Sequence, residues 1–277
     1  LSSLSAALLV FAAALISCAA QHEIRILYIN DFHGFAAPHK PYGSTDAKGG
    51  LAYLATRAER LRTEKPTLFL AAGDMIQGNN WANLFQGKSS IEALNSMNLD
   101  AMVVGNHEFD FGQSILKERI KEAKFPFLGA NVLGFSELKP YIIKDFDGLS
   151  VAVIGIVTDE TPVSTNPRNV EGLQFISPID TADKYVRKLK GSGDIIVVLS
   201  HIGFTGDVEL AKKVDGIDVI VGGHSHTKVD KPVAIGNTLI VQAFEHGKVL
   251  GVLDIAVNNG KVIRADGRLE PITPKGE

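Results

Sequence analysis

The stretch Ala101-Met102-Val103-Val104-Gly105-Asn106-His107-Glu108-Phe109-Asp110 decides how the chain reads. A short apolar run of strand type passes through one glycine straight into an amide, an imidazole and two carboxylates. Four more runs do the same. Ile24–Asn30 leads into Asp31-Phe32-His33-Gly34, Thr67–Ala72 into Gly73-Asp74, Ile195–Leu199 into Ser200-His201, and Val219–Val221 into Gly222-Gly223-His224-Ser225-His226. Open α/β sheets carry their sites at the carboxyl ends of strands, which is where these clusters fall. Five of the eight histidines lie in these places, and a scatter of core and surface histidines would not produce that.

Around these runs the class is α/β. Further strands are expected at Phe127–Gly129 and Val151–Ile156, and helices at Leu51–Arg62, Ile91–Ser96, Ser114–Ala123, Thr181–Leu189 and Val208–Val214. Beyond Lys231 the helical signal stops. Pro232–Ile235, Thr238–Ala243, Gly251–Val257 and Lys261–Leu269 read as antiparallel strands, turned at Gly236-Asn237 and Asn259-Gly260. Thr161–Asn169 reads as a polar surface loop, and Pro271–Glu277 as a frayed tail. Residues 24–270 are expected to form one domain.

A chain of 277 residues, 45% hydrophobic and 21% charged, buries a core without disulfides or a structural metal, which leaves any metal free to serve function. The net charge of −3 argues against binding a nucleic-acid polymer. The one cysteine, Cys18, ends the apolar run Ala6–Ile16, whose length suits a signal-peptide core rather than a membrane span. Leu15-Ile16-Ser17-Cys18 resembles a bacterial lipobox. That reading makes residues 1–17 a signal peptide cleaved before Cys18, residues 18–23 a linker, and Cys18 the lipidated anchor of an exported protein, periplasmic or on the cell surface. The other reading is a buried apolar helix with an inert core cysteine.

The donors in the five clusters are imidazole nitrogens, carboxylate oxygens and an amide oxygen, with no thiolate. That mixture suits zinc, manganese, iron or cobalt. Residues i and i+2 of an extended chain face one side, so Asp31 with His33, and His224 with His226, are expected to act as two claws. With Asp31 and Asp74 as the anionic ligands of two divalent ions, the site carries roughly +4 − 2 = +2 and attracts an anionic substrate.

In order, Asp31-Phe32-His33-Gly34, Gly73-Asp74-Met75-Ile76-Gln77-Gly78-Asn79, Gly105 through Gly112, Ser200-His201-Ile202-Gly203-Phe204 and Gly222 through Thr227 resemble the five signature blocks of the calcineurin-like metallophosphoesterases. More narrowly, they resemble the catalytic domain of the secreted 5′-nucleotidase and 2′,3′-cyclic phosphodiesterase family. The resemblance implies a four-layer αββα sandwich of two mixed sheets flanked by helices. It implies one metal ion held by Asp31, His33, Asp74 and His226, with Asp74 bridging to a second ion held by Asn106, His201 and His224. It also implies a catalytic pair in which His107 meets the phosphoryl oxygens or the leaving group and Asp110 orients it. Substrate contacts would come from Asn106, His107 and His246. Glu108 is expected to face elsewhere, and for His39 a surface loop serves as well as a place at the site. The implied activity is hydrolysis of phosphate esters, foremost release of phosphate from nucleotides. Alternatives are a broad phosphomonoesterase, a cyclic-nucleotide phosphodiesterase, or a non-catalytic surface binding protein. No C-terminal nucleotide-specificity domain is expected within the chain.

Overall fold

The computed structural model describes residues 22–274, so the run Ala6–Ile16 and the expected lipidation at Cys18 lie outside the described residues. The strands are β1 (His22–Ile29), β2 (Thr67–Ala71), β3 (Ala101–Val103), β4 (Phe127–Leu128), β5 (Val132–Leu133), β6 (Tyr141–Phe146), β7 (Leu149–Val157), β8 (Gln174–Phe175), β9 (Ile195–His201), β10 (Val219–Gly222), β11 (Val233–Ile235), β12 (Thr238–Gln242), β13 (Val249–Asn258) and β14 (Lys261–Pro271). The helices are α1 (Leu51–Arg62), α2 (Asn80–Asn83), α3 (Lys88–Ser96), α4 (Gln113–Glu122), α5 (Thr161–Ser164), α6 (Pro178–Leu189) and α7 (Phe204–Lys213).

Two mixed six-stranded sheets, ordered β14-β13-β1-β2-β3-β4 and β11-β12-β10-β9-β7-β6, stack face to face. Alternation along the strands dictates the layering. Ile24, Ile26 and Tyr28 of β1 face the second sheet's Val151, Val153, Val197, Leu199, Val219 and Val221, forming the middle of the sandwich. The intervening Leu27 and Ile29 turn outward onto Leu54 and Leu61 of α1, and the same outer layer holds Ile91 and Leu94 of α3. On the far side, Ile154, Ile156, Ile196 and Val198 pack on Val186 and Leu189 of α6 and Leu210 of α7. Both sheets are therefore covered on two faces, and the architecture is the expected αββα sandwich.

The parallel strands β1, β2 and β3 of one sheet and β9 and β10 of the other deliver the five clusters to one end of the sandwich. Several local expectations are corrected. β1 starts at His22, which pairs with Val257, so the expected linker residues His22 and Glu23 belong to the sheet. β12 is antiparallel to β11 but parallel to β10, while β13 and β14 complete the other sheet beside β1. The tail is docked at its start, since Ile272 is buried and its N–H donates to the Lys248 carbonyl at 2.9 Å. α6 begins earlier than expected because the Ser177 hydroxyl caps the Asp180 N–H and Pro178 suits the first turn. β6 gave no strand signal because it is an edge strand, half exposed along its length.

Candidate metal centre and its supporting shell

The site grows from three loops held against one another. Asn30, at the end of β1, donates from Nδ2 to Asp31 Oδ2 and to the Phe244 carbonyl, both at 2.6 Å, and accepts the Ala243 N–H at 2.7 Å. Asp31 then accepts the His224 N–H, which joins the two sheets at the site. Asp31, His33, His224 and His226 all adopt left-handed backbone, with φ between 48° and 75°. Asp31 and His33 therefore converge by tight left-handed turns rather than as extended chain, while the same conformation sends His224 and His226 to different donor groups; it costs non-glycine residues and gathers at functional sites. Gly105 permits the close approach, since a Cβ there would stand 2.2 Å from Asp74 Oδ1 and 2.6 Å from His201 Nε2.

Two donor groups result, Asp31 with His33 and His226, and Asp74 with His201 and His224. Within each, one donor atom per residue lies within 4.8 Å of the others. Asp74 stands between them, its Oδ2 being 3.0 Å from His201 Nε2 and 3.9 Å from His33 Nε2. The buried Asn106 Oδ1 has no hydrogen-bond partner. His201 Nε2 also makes no properly angled hydrogen bond, despite its closeness to Asp74.

These donors fit metal ions. His33 presents Nδ1 to the Gln77 carbonyl at 3.0 Å, and His201 presents Nδ1 to the Ala72 carbonyl at 2.6 Å. Each bond places the proton on Nδ1 and leaves the Nε2 lone pair aimed inward. His33 Nε2 and His226 Nε2 then face each other at 3.2 Å, an arrangement of lone pairs that requires a shared proton or a cation. Protons compete for the same places. Burial opposes charging His201, yet Asp74 and Asp31 raise it to about 10, and the Asp31 hydrogen bond lifts His226 to about 9. Burial alone would raise the Asp74 carboxyl, but His201, His107 and His33 hold it well below the usual range.

Beside the donors, His107 Nδ1 lies 2.6 Å from Asp110 Oδ2, and the His107 N–H donates to Asp74 Oδ1 at 3.0 Å. The hydrogen bond to Asp110, opposed by burial, raises the His107 pKa above the ordinary imidazole value. The stretch expected to be a loose loop contains α5 and a 3-10 turn at Pro167–Val170. Its Thr165 hydroxyl donates to Asp110 Oδ1 at 2.5 Å, and Asn169 Nδ2 donates to the Asp110 carbonyl at 2.8 Å. His246 stacks on Phe35 with ring centroids 3.8 Å apart and lies 5.9 Å from both the His33 and His226 rings. His39 joins no donor group among the described residues, its ring lying 4.9 Å from Phe35.

Glu108 joins neither donor group and turns instead to backbone N–H groups. It is fully buried, and its two oxygens accept the N–H groups of Asp74, Met75, Ile76 and Gly105 at 2.6–3.3 Å. Burial and Asp74 push its pKa up to about 7. Each oxygen already accepts two N–H donors, so a proton on either would find no acceptor, and the four donors favour the carboxylate. Glu108→Gln turns an amide NH₂ toward those donors and leaves two of them unpaired. The expected loss is roughly 2–6 kcal/mol of unfolding free energy, at about 1–3 kcal/mol for each of the two buried unpaired groups. Urea denaturation of the metal-free protein measures it, and a loss under about 0.5 kcal/mol would show that this brace is dispensable.

Residues 24–228 match the model of the calcineurin-like phosphoesterase family. The chain is 35% identical to the snake venom 5′-nucleotidase of Crotalus adamanteus, over 93% of this chain and 49% of that one. It is 34% identical to the 5′-nucleotidase of Homo sapiens, over 94% of this chain and 51% of that one. The solved 5′-nucleotidase precursor of Thermus thermophilus superposes with a TM-score of 0.87 at 31% identity, covering 92% of this chain and 55% of that one. The chain thus spans about half the length of these relatives. Matched across most of its length by both sequence and structure, it belongs to the calcineurin-like phosphoesterase family.

Proposed function

We propose that the chain is a metal-dependent phosphoric ester hydrolase, a 5′-nucleotidase-like phosphomonoesterase that carries two divalent ions. The observation that carries this reading is the pair of inward-facing donor groups meeting at Asp74, with the His107–Asp110 pair beside them. Asp31, His33, Asp74 and His226 would hold one ion, and Asp74, Asn106, His201 and His224 the other. When bound, such ions activate water and neutralise phosphoryl charge. The chain's own residues supply the rest. His107, whose acid form is favoured by its bond to Asp110, places a proton at the phosphoryl or leaving oxygen, while Asp110 fixes the ring and Thr165 and Asn169 fix Asp110. Because His201 and His226 must lose protons to bind metal, affinity falls as the medium is acidified.

The names of the relatives support a nucleotide as substrate. On the sequence alone, we further propose residues 24–270 as the catalytic unit, export from the cytoplasm and a lipid anchor at Cys18. Among the described residues no helix is long and apolar enough to cross a membrane. Phosphate release from AMP, other nucleotides, cyclic nucleotides and p-nitrophenyl phosphate, with Mn²⁺, Zn²⁺ or Co²⁺ and with chelator, tests the activity. Metal-dependent release from AMP is expected, and no release from any ester with any metal overturns the reading.

A further inference from the structure

The imidazoles assigned to the ions do not share one kind of support. His33 and His201 turn Nδ1 to neutral backbone carbonyls, whereas His226 turns Nδ1 to a carboxylate, Glu245 Oε2, at 2.6 Å. The other face of Glu245 is taken as well. Lys248 donates to Oε1, and His246 Nδ1 lies 3.6 Å from the same oxygen.

His226, Glu245 and His246 thus gather donors within 4.8 Å of one another, which on geometry alone is a third candidate cation site. The Lys248 ammonium already occupies the open oxygen, however, and its charge repels a metal there. Glu245 is also fixed in place by its own loop. The His246 N–H donates to the Asp31 carbonyl at 2.8 Å, the Lys248 N–H donates to the Glu245 carbonyl at 3.1 Å, and Phe244 and His246 flank Glu245 in left-handed backbone. The carboxylate is left one task at the site, which is to orient His226.

We propose that Glu245 is a positioning residue for metal retention. It locks His226 with Nε2 turned toward Asp31 Oδ1, 3.3 Å away, and toward His33 Nε2. A carboxylate partner makes an imidazole a stronger donor than a carbonyl partner does. The Asp31–His33–His226 half is therefore the tighter of the two ion sites, and the two ions leave the protein at different metal concentrations. This rests on the ion assignment proposed above.

Co²⁺ titration of the metal-free protein, followed by calorimetry and visible absorption, separates the two questions. The wild-type protein is expected to bind two ions of unequal affinity. Glu245→Gln keeps one oxygen that can accept from His226, gives up the oxygen that accepts from Lys248 and removes the charge, and it should weaken the tighter ion by about 10–100-fold while leaving the other unchanged. The metal-free variant should still melt cooperatively, at a temperature lowered only by the lost ion pairs with His226 and Lys248. Glu245→Ala, which removes the acceptor, should weaken the same ion further. Wild-type affinity for both ions in Glu245→Gln, or equal weakening of both, overturns the positioning role with the ion assignment intact. Failure of the wild-type protein to bind any Co²⁺ overturns the ion assignment, and this inference with it.

Discussion

Asp74→Asn should abolish metal retention and phosphate release together. Asp74 is the side chain placed between the two donor groups, with Oδ2 near both His201 and His33 and Oδ1 accepting the His107 N–H. The substitution preserves shape and removes charge, and in a cluster this buried the charge carries the effect. With Asp31 as the remaining anion, the net charge of two bound divalent ions rises from roughly +2 to +3. Removing one partner of a buried ionic arrangement costs about 3–5 kcal/mol, or about 10²–10⁴-fold in metal affinity. Metal content after dialysis and phosphate release from AMP, measured on one preparation, check the pairing of the two losses. A variant that keeps both ions yet loses turnover would remove Asp74 from its bridging position and make it a substrate contact instead.

What the sequence made legible follows from which forces leave a periodic trace. Strands buried on both faces read as apolar runs, so the sequence places β1, β2, β7, β9 and β10 to within two residues at each end, and the ends of β1, β2, β9 and β10 point to the donors. Side chains that act on backbone groups leave no such trace. Glu108 sits among catalytic residue types, but its work is to accept four N–H bonds from two loops, and nothing in the spacing of Asn106 through Asp110 distinguishes that from a solvent-facing glutamate. Thr165 and Asn169 lie in a polar, proline-containing stretch that reads as a loop, and it takes the fold to bring them across 55 and 59 residues to Asp110. Glu245 meets His226 across 19 residues, because β12 runs parallel to β10 and the loops after them share one end. The claws had the wrong backbone, since two-residue spacing is compatible with extended chain and with left-handed turns alike, and His224 and His226 part to different donor groups.

His107→Ala separates chemistry from metal binding, and it should lower kcat by about 10²–10⁴-fold while both ions stay bound. His107 belongs to neither donor group. Its ring meets the His33 ring edge to face at 5.3 Å, and its side chain remains 33% exposed, which leaves Nε2 open to the cleft while Nδ1 is committed to Asp110. The Asp110 bond raises its pKa, so the cationic acid persists to higher pH than a free imidazole would allow. The sign of the pH dependence follows. Activity that relies on the acid form is fully present below that raised pKa and declines as pH climbs through it, giving an alkaline limb to kcat. In His107→Ala this limb should disappear, leaving a flatter residual rate carried by whatever the ions and their ligands supply. The pH profile thus distinguishes proton donation from simple electrostatic crowding at the phosphoryl group. A wild-type alkaline limb that survives unchanged in His107→Ala would mean that another group carries the proton. Loss of both ions in that variant would place His107 among the groups that hold the Asp74 loop, through its N–H bond to Asp74 Oδ1, rather than among those that meet substrate.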